Sequence, residues 1–144
     1  MIFIGRDEEH LELEEMERVP KHLPTPGDVR VKVTLRLQDF RGSYPNVWLL
    51  QPDLERFVGE LKLLVETRKT KAKLNAMSPE EFSLELRPYD SLGHFEASVR
   101  LGRCQYSGPT YWPTMIAGGF EIEPNQLQSI LSSFQSLLEP GDPS

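Results

Sequence analysis

Histidine and cysteine side chains can bind a metal or take part in nucleophilic catalysis, and this chain has three histidines and one cysteine. His10, His22 and His94 have no second histidine or cysteine at the spacing of metal ligands. Cys104 and His94 lie ten residues apart on or beside one predicted strand, which at ~3.3 Å per residue separates them by roughly 30 Å. We therefore interpret the histidines as surface or loop residues and Cys104 as a half-buried structural thiol, and we predict neither a metal nor any other cofactor.

The sequence contains no recognisable catalytic motif of another kind either. The pair Gly118-Gly119 lacks the lysine, the flanking strand and the helix start of phosphate-binding loops. Glu121 and Glu123 are two residues apart, so strand alternation alone places both carboxylates on one face. No serine lies in the sequence context of a nucleophile. We predict that the protein is not an enzyme and has no catalytic residues.

The acidic residues are concentrated near the start of the chain. The formal net charge is −6 over 144 residues, yet seven acids and no lysine or arginine lie between Asp7 and Glu17. Such a run is typical of a solvated strand face. It could also form a docking face that steers a basic partner towards the protein. Under the second interpretation, the candidate contact residues are Glu12, Glu14 and Glu17.

A basic cluster of four residues follows the first predicted helix. Cations at this place favourably oppose the C-terminal end of the helix dipole. The cluster has no interleaved aromatic residues, and the chain as a whole is acidic. We therefore predict no binding to nucleic acid. The four bases are Arg68, Lys69, Lys71 and Lys73.

Aromatic residues form the second candidate binding surface. Tyr106, Tyr111 and Trp112 lie in a predicted loop that is rich in glycine and proline, and Tyr44 and Trp48 lie on a predicted strand. Tyrosine and tryptophan combine a large contact area with a polar group and are enriched at binding hot spots. The two tryptophans could instead close the core at the ends of a sheet. The aromatic candidates for partner binding are Tyr44, Tyr106, Tyr111 and Trp112.

Two stretches of the chain change from a two-residue to a 3.6-residue hydrophobic period, and a proline marks each change. Apolar and polar residues alternate from Val29 to Gln38, which predicts a strand with one buried face. A helical pattern begins past Pro52, and the second change, at Pro124, follows about 72 residues later. This repeated spacing is a weak sign of internal duplication. The helix residues predicted to face the core are Phe57, Leu61, Ile130 and Phe134.

Shorter alternating segments predict further strands. Residues 102–113 are predicted to be a loop and residues 114–122 the last strand, in which Gly118-Gly119 indicates a bulge or a sharp bend. The predicted fold class is α+β, with a single antiparallel β-sheet of about six to eight strands and two amphipathic helices packed on one of its faces.

The length of the chain favours a single domain over residues 1–144. Within it, we expect a hairpin and loop over residues 1–27, a core over 28–139 and a flexible tail over 140–144. No apolar run approaches the ~20 residues that span a bilayer, and the start of the chain does not have the pattern of a signal peptide. One cysteine cannot form an internal disulfide. We therefore expect a cytoplasmic protein without membrane contact.

The arrangement from Val29 to Leu138, about three quarters of the chain, resembles the WapI-like immunity proteins. The matching segments are Leu54-Glu-Arg-Phe-Val-Gly-Glu-Leu-Lys-Leu-Leu, Ala72-Lys-Leu, Phe82-Ser-Leu-Glu-Leu, Leu92-Gly-His-Phe-Glu-Ala, Gly119-Phe-Glu-Ile and Gln126-Leu-Gln-Ser-Ile-Leu. The resemblance implies a cytoplasmic, non-enzymatic inhibitor that binds a cognate bacterial toxin encoded nearby. It carries no catalytic residue over to this chain.

Two other classes of function stay open at this point. One is an accessory domain that binds a small molecule or a peptide on a concave sheet face, and the other is a hydrolase of unknown type. A neighbouring toxin gene would favour the immunity protein, whereas a ligand that co-purifies with the chain would favour the accessory domain. The oligomeric state is left open by the sequence.

Overall fold

The computed structural model describes residues 1–138, apart from the side chains of Tyr106 and Ser107, so the predicted tail lies outside the described residues. Eight strands and two helices follow one another in two similar series, each of four strands and one helix. The elements are β1 (Ile2–Gly5), β2 (Glu9–Arg18), β3 (Val29–Leu37), β4 (Phe40–Leu49), α1 (Gln51–Thr67), β5 (Ala72–Asn75), β6 (Phe82–Pro88), β7 (Phe95–Ser107), β8 (Thr110–Ile122) and α2 (Gln126–Leu138).

The α+β class is confirmed, but the prediction of one sheet is wrong. The strands form two antiparallel sheets of four, in the orders β1-β2-β3-β4 and β5-β6-β7-β8. Alternation in a sequence shows which side chains of a strand are buried, and it is the same whether they are buried beneath helices or beneath a second sheet. The buried residues of both sheets and both helices form one hydrophobic core.

The two sheets contact each other along one face of β8, where residues 116, 118 and 120 each lie beside a different strand of the first sheet. Ile116 lies beside Gly42 of β4, where a Cβ would be 3.5 Å from the Ile116 Cγ2 atom. A Cβ at Gly118 would lie 2.7 Å from Cδ1 of Leu37, at the end of β3. A Cβ on the glycine that ends β1 would lie 2.8 Å from the ring of Phe120. The strand β8 therefore crosses β4, β3 and β1 in turn.

Gly118 and Gly119 do not form the bulge that the sequence predicts. All thirteen residues of β8 pair with β7 without a shift in register. The glycines instead make room for close neighbours, because a Cβ at Gly119 would lie 2.7 Å from the backbone oxygen of Ala97 on β7. Their lack of a side chain serves packing between strands and between sheets.

The predicted loop over residues 102–113 is also wrong, because these residues form the far end of a long β7–β8 hairpin. Ser107 pairs with Thr110, so Gly108 and Pro109 alone make the turn. Gly108 has a φ of 61°, which suits the first position of a tight hairpin turn. Pro113 does not interrupt the hairpin because β8 is an edge strand, where a missing amide donor is tolerated.

The two helices cover the core and contact each other. The rings of Phe57 and Phe134 meet edge to face, with centroids 4.8 Å apart. At the start of α1, the buried carboxylate of Asp28 accepts a hydrogen bond of 2.8 Å from the backbone amide of Gln51. That amide belongs to the first turn and has no partner within the helix, so Asp28 caps α1 from the loop before β3. All four predicted helix core residues are buried.

Replacing Phe134 by alanine should lower the free energy of unfolding by about 3–5 kcal/mol, because it removes a fully buried ring that joins the two helices. The matched control is Phe40→Ala, which truncates a ring that is 74% exposed and should change stability by no more than about 0.5 kcal/mol. Urea denaturation followed by circular dichroism measures both. A loss below about 1 kcal/mol for Phe134→Ala would contradict the central position of α2.

The two adjacent glycines give a second comparison. Gly119→Ala should lower the free energy of unfolding by roughly 1–3 kcal/mol, because the new methyl group would meet the rigid backbone of β7. Gly118→Ala should cost less, since the group it meets is the end of the flexible Leu37 side chain. Equal losses for the two variants, measured by thermal or urea unfolding, would contradict this distinction.

Candidate functional site

A cleft of about 740 Å³ opens where the two sheets separate. One wall is the β3–β4 hairpin, with Leu37 and residues 40–45, and the other wall is the β7–β8 hairpin, with residues 101–103 and 114–117. Phe120 on the inner face of β8 is buried and Ile116 is half-buried, whereas Thr114 and Trp112 on the same face are exposed. Side chains on the inner face of β8 therefore become more exposed towards the tip of the hairpin. We call residues 103–114, which extend beyond the first sheet, the arm.

Exposed apolar side chains gather around this cleft. Phe40 and Met115 line it and are 74% and 52% exposed, and Trp112 on the adjacent arm is 59% exposed. Tyr44 also lines the cleft, where it is half-buried and packs against the core. Clusters of exposed apolar residues on a folded domain commonly mark a surface that binds another molecule.

The charged residues that line the cleft are both arginines, Arg41 and Arg103. Neither forms an ion pair within the described part of the chain, where ion pairs engage six of the sixteen lysines and arginines. No acidic side chain lines the cleft. The cleft is therefore apolar with positive charge at its margins, in a chain whose formal net charge is −6.

The structure places the predicted aromatic residues in different positions. Tyr44 is in the cleft, and Trp112 is on the arm and does not close the core. Tyr111 is adjacent to Trp112 on β8, so strand alternation puts it on the opposite face of the arm. The backbone of Tyr106 pairs with that of Tyr111, and the Tyr106 side chain lies outside the described residues. Trp48 is half-buried on β4, where it pairs with Arg30.

The predicted acidic residues lie on β2, away from the cleft, because β3 separates β2 from β4. Each of them faces a neighbour on β3. Glu17 forms an ion pair of 3.2 Å with Arg30, Glu14 lies opposite Lys32, and Glu12 lies opposite Thr34. Opposite charges across neighbouring strands stabilise a sheet. The register therefore gives the acidic run a role within the first sheet.

The turn between β6 and β7 contains a histidine–carboxylate pair that the spacing of histidines does not reveal. Nδ1 of His94 lies 2.6 Å from Oδ2 of Asp90, while Oδ1 of Asp90 accepts hydrogen bonds from the backbone amides of Leu92 and His94. Gly93 between them has a φ of 92°, a conformation that favours glycine. The sequence does contain a signal for this turn. Asp90 precedes Gly93-His94 by three residues, and an aspartate shortly before a glycine is typical of an Asx-type turn.

This pair shifts the pKa values of both partners. The hydrogen bond from His94 to Asp90, together with the nearby negative charge, raises the pKa of His94. Desolvation by itself would raise the pKa of Asp90, but the hydrogen bonds from His94 and from the backbone outweigh it and lower that pKa. We call this pair, which joins the two ends of the turn, the clamp. Its geometry does not indicate a catalytic reaction.

Three further observations limit the chemistry of the site. Cys104 is exposed, so its predicted role as a half-buried structural thiol is wrong; it lies on the arm opposite Pro113. Among residues 1–138, no three histidine, cysteine or acidic side chains are grouped as metal ligands would be. Over the same residues, neither helix has the length and apolar character needed to cross a membrane.

These features define an α+β domain with an exposed apolar cleft and an arm, a geometry suited to binding. The model of the WapI-like immunity protein family matches residues 2–140, and the chain belongs to this family. The match includes the first 27 residues, which the resemblance seen in the sequence did not cover. Searches of curated proteins and of solved structures found no match.

The pKa of His94 gives a direct test of the clamp. Replacing Asp90 by asparagine keeps an oxygen for the turn but removes the negative charge, so the raised pKa of His94 should fall towards its ordinary value. Titration of the imidazole C–H signals by NMR measures this. Asp39→Asn, in the β3–β4 turn, is the matched control and should leave the pKa of His94 unchanged.

The same pKa shifts determine how the contribution of the clamp to the stability of the protein depends on pH. Because the pKa of His94 is raised, its contribution to stability is complete below the ordinary histidine pKa and is lost as pH rises through the raised value. Because the pKa of Asp90 is lowered, its contribution is present above the ordinary aspartate pKa and is lost as pH falls through the lowered value. An unchanged pKa of His94 in Asp90→Asn would contradict the pairing.

Proposed function

We propose that this protein is a cytoplasmic, non-enzymatic immunity protein that binds and neutralises a cognate bacterial toxin. The observation that carries the proposal is the match of the WapI-like immunity family to nearly the whole chain. Binding of this kind requires a surface and no cofactor, and the protein would act by covering the site that the toxin uses.

We propose the cleft and the arm as the surface that meets the toxin. Phe40, Tyr44 and Trp112 would supply large aromatic contacts within a small area, and aromatic residues dominate binding energy at protein interfaces. Tyr111 would contribute from the other face of the arm. Tyr106 stays a candidate by its residue type alone. Residues on a projecting hairpin can contact a partner without disturbing the core.

The acidic residues Glu12, Glu14 and Glu17 are a second candidate surface. Their field would steer a basic toxin only to the extent that it exceeds that of the neighbouring bases, Arg30 and Lys32. We therefore rank this surface below the cleft. The steering would appear in the association rate and would weaken over a Debye length of about 8–10 Å as salt is added.

The second candidate function is a domain that binds a small molecule or a peptide. The cleft volume of about 740 Å³ favours it, because it falls within the range of ordinary ligand sites. A small molecule that co-purifies with the protein in stoichiometric amount, together with no binding to the toxin encoded by the adjacent gene, would support this function over the first.

Co-expression with the product of the adjacent toxin gene, followed by affinity capture and surface plasmon resonance, tests the proposal. Trp112→Ala should raise the dissociation rate by about 30-fold, as expected when a hot spot worth about 2 kcal/mol is lost. Met77→Ala is the matched control, because Met77 is 58% exposed and does not line the cleft. It should leave the rate unchanged.

Charge reversal at Glu12, Glu14 and Glu17 in the same experiment should slow association more than it speeds dissociation, and only at low salt. An unchanged association rate would remove these residues from the candidate surface. Absence of a complex with the wild-type chain, or equal effects of Trp112→Ala and Met77→Ala, would contradict the proposed interface.

A further inference from the structure

We propose that the cleft binds an extended, acidic segment of the partner, and that the backbone of this segment pairs with the free edge of β4. The inference rests on the proposed function, because the partner is the toxin. It adds the chemistry of the bound segment and the strand that receives it. Three independent features of the cleft support it: the edge of β4, the unpaired arginines and the apolar walls.

The first feature is the way in which β4 lines the cleft. Six consecutive residues of this strand, 40–45, contribute to the lining. The strand β4 is the last strand of the first sheet, so the cleft lies beside the strand that forms the edge of this sheet. Within the described residues, β3 is the only strand that pairs with β4. The amide of Met77 also donates a hydrogen bond of 2.9 Å to the carbonyl of Trp48, so the edge of β4 is open beside residues 40–45 and not along its whole length.

An open strand edge presents backbone N–H and C=O groups to a new strand. Proteins commonly protect such edges with proline or a bulge, and β4 has both, at Pro45 and at the shift in register opposite Lys32. The unprotected part of β4 is thus the stretch from Phe40 to Tyr44, which pairs with β3 without a shift in register. This limits the added strand to a short segment of about five residues.

The second feature is charge. Arg41 and Arg103 line the cleft and form no ion pair with a described residue, even though the chain has more acids than bases. An acidic segment in the cleft would pair with both guanidinium groups. A basic segment would meet like charge on both sides, which costs binding energy and excludes wrong partners.

The third feature is the apolar part of the walls. Phe40 approaches the cleft from the first sheet, and Leu101 and Ile116 approach it from the second. Phe40 and Arg41 are adjacent on β4, so an extended segment that pairs with this strand can direct apolar side chains to the walls and acidic side chains to Arg41 on the opposite face. Arg103 lies two residues from Leu101 and therefore on the apolar side, where an acidic group at the end of the segment would reach it. A sequence that alternates acidic with β-branched residues fits this arrangement.

The test uses a fluorescent peptide of about eight residues that alternates aspartate with valine, long enough to cover the open part of β4. Two matched peptides replace aspartate by serine or by lysine. Fluorescence anisotropy with the wild-type chain should give the tightest binding for the acidic peptide. Hydrogen exchange of the bound chain should slow at amides between Phe40 and Tyr44. Protection confined to β8 would overturn the assignment to β4.

Charge reversal with a matched control distinguishes binding to the cleft arginines from a general effect of net charge on peptide binding. The double variant Arg41→Glu/Arg103→Glu should weaken binding of the acidic peptide by about tenfold or more. Lys21→Glu/Arg100→Glu changes the net charge by the same amount; Arg100 lies on the same strand as Arg103 but on its opposite face. The control variant should bind within about twofold of wild type. Equal losses, or acidic and serine peptides that bind alike, would overturn the proposal.

The same variants separate this inference from the proposed function. If the wild-type chain captures the toxin and Arg41→Glu/Arg103→Glu captures it equally well, the cleft assignment is wrong and the immunity function stands. If the peptide results are as expected but the wild-type chain does not capture the toxin, the cleft assignment stands for another acidic partner and the immunity function is wrong.

Discussion

The contact between the rings of Phe57 and Phe134 joins two halves of the chain that are built alike. Each half is a four-stranded antiparallel sheet followed by one helix, and the two helices meet edge to face with centroids 4.8 Å apart. Neither half alone could cover its apolar face, because a single sheet of four strands with one helix leaves apolar side chains in water. The shared core therefore requires both halves to fold together. The close approach at β8 has the same consequence, since Gly118 accommodates Leu37 from the first sheet.

The local elements were well predicted from the sequence, and the long-range arrangement was not. Proline at the start of each helix and the change of hydrophobic period located both helices, because these signals depend on neighbouring residues. The number of sheets depends on which strands pair across long sequence distances, and alternation contains no such information. The arm was mistaken for a loop because Pro113 and Gly108 are common in loops. A proline on an edge strand and a glycine in a two-residue turn are equally compatible with a long hairpin.

The candidate site was predictable only in part, for a related reason. The sequence identified Tyr44 and Trp112 by residue type, and the structure places both near the cleft. It gave no sign of Phe40, Arg41 or Arg103, because a cleft between two sheets is defined by residues that are distant in the chain. The acidic run is visible in the sequence because its seven acids lie within eleven residues. Its cross-strand neighbours, Lys32 and Arg30, become visible only once the register between β2 and β3 is known.

Strand register therefore shows better than net charge which charged side chains in this protein have an oppositely charged neighbour. Glu14 and Glu17 on β2 face bases on β3, which reduces the field of the acidic run, while the arginines at the cleft have no acidic neighbour of this kind among the described residues. The cleft lies where the cover of the second sheet by the first ends. Along the inner face of β8, Phe120 is buried and Ile116 is half-buried, whereas Trp112 is exposed, so the apolar groups at that end of the second sheet are left uncovered. Substitutions there change exposed side chains and remove little buried surface, so they should cost little stability. The arm and the margin of the cleft can thus vary in chemistry while the core that joins the two halves stays the same.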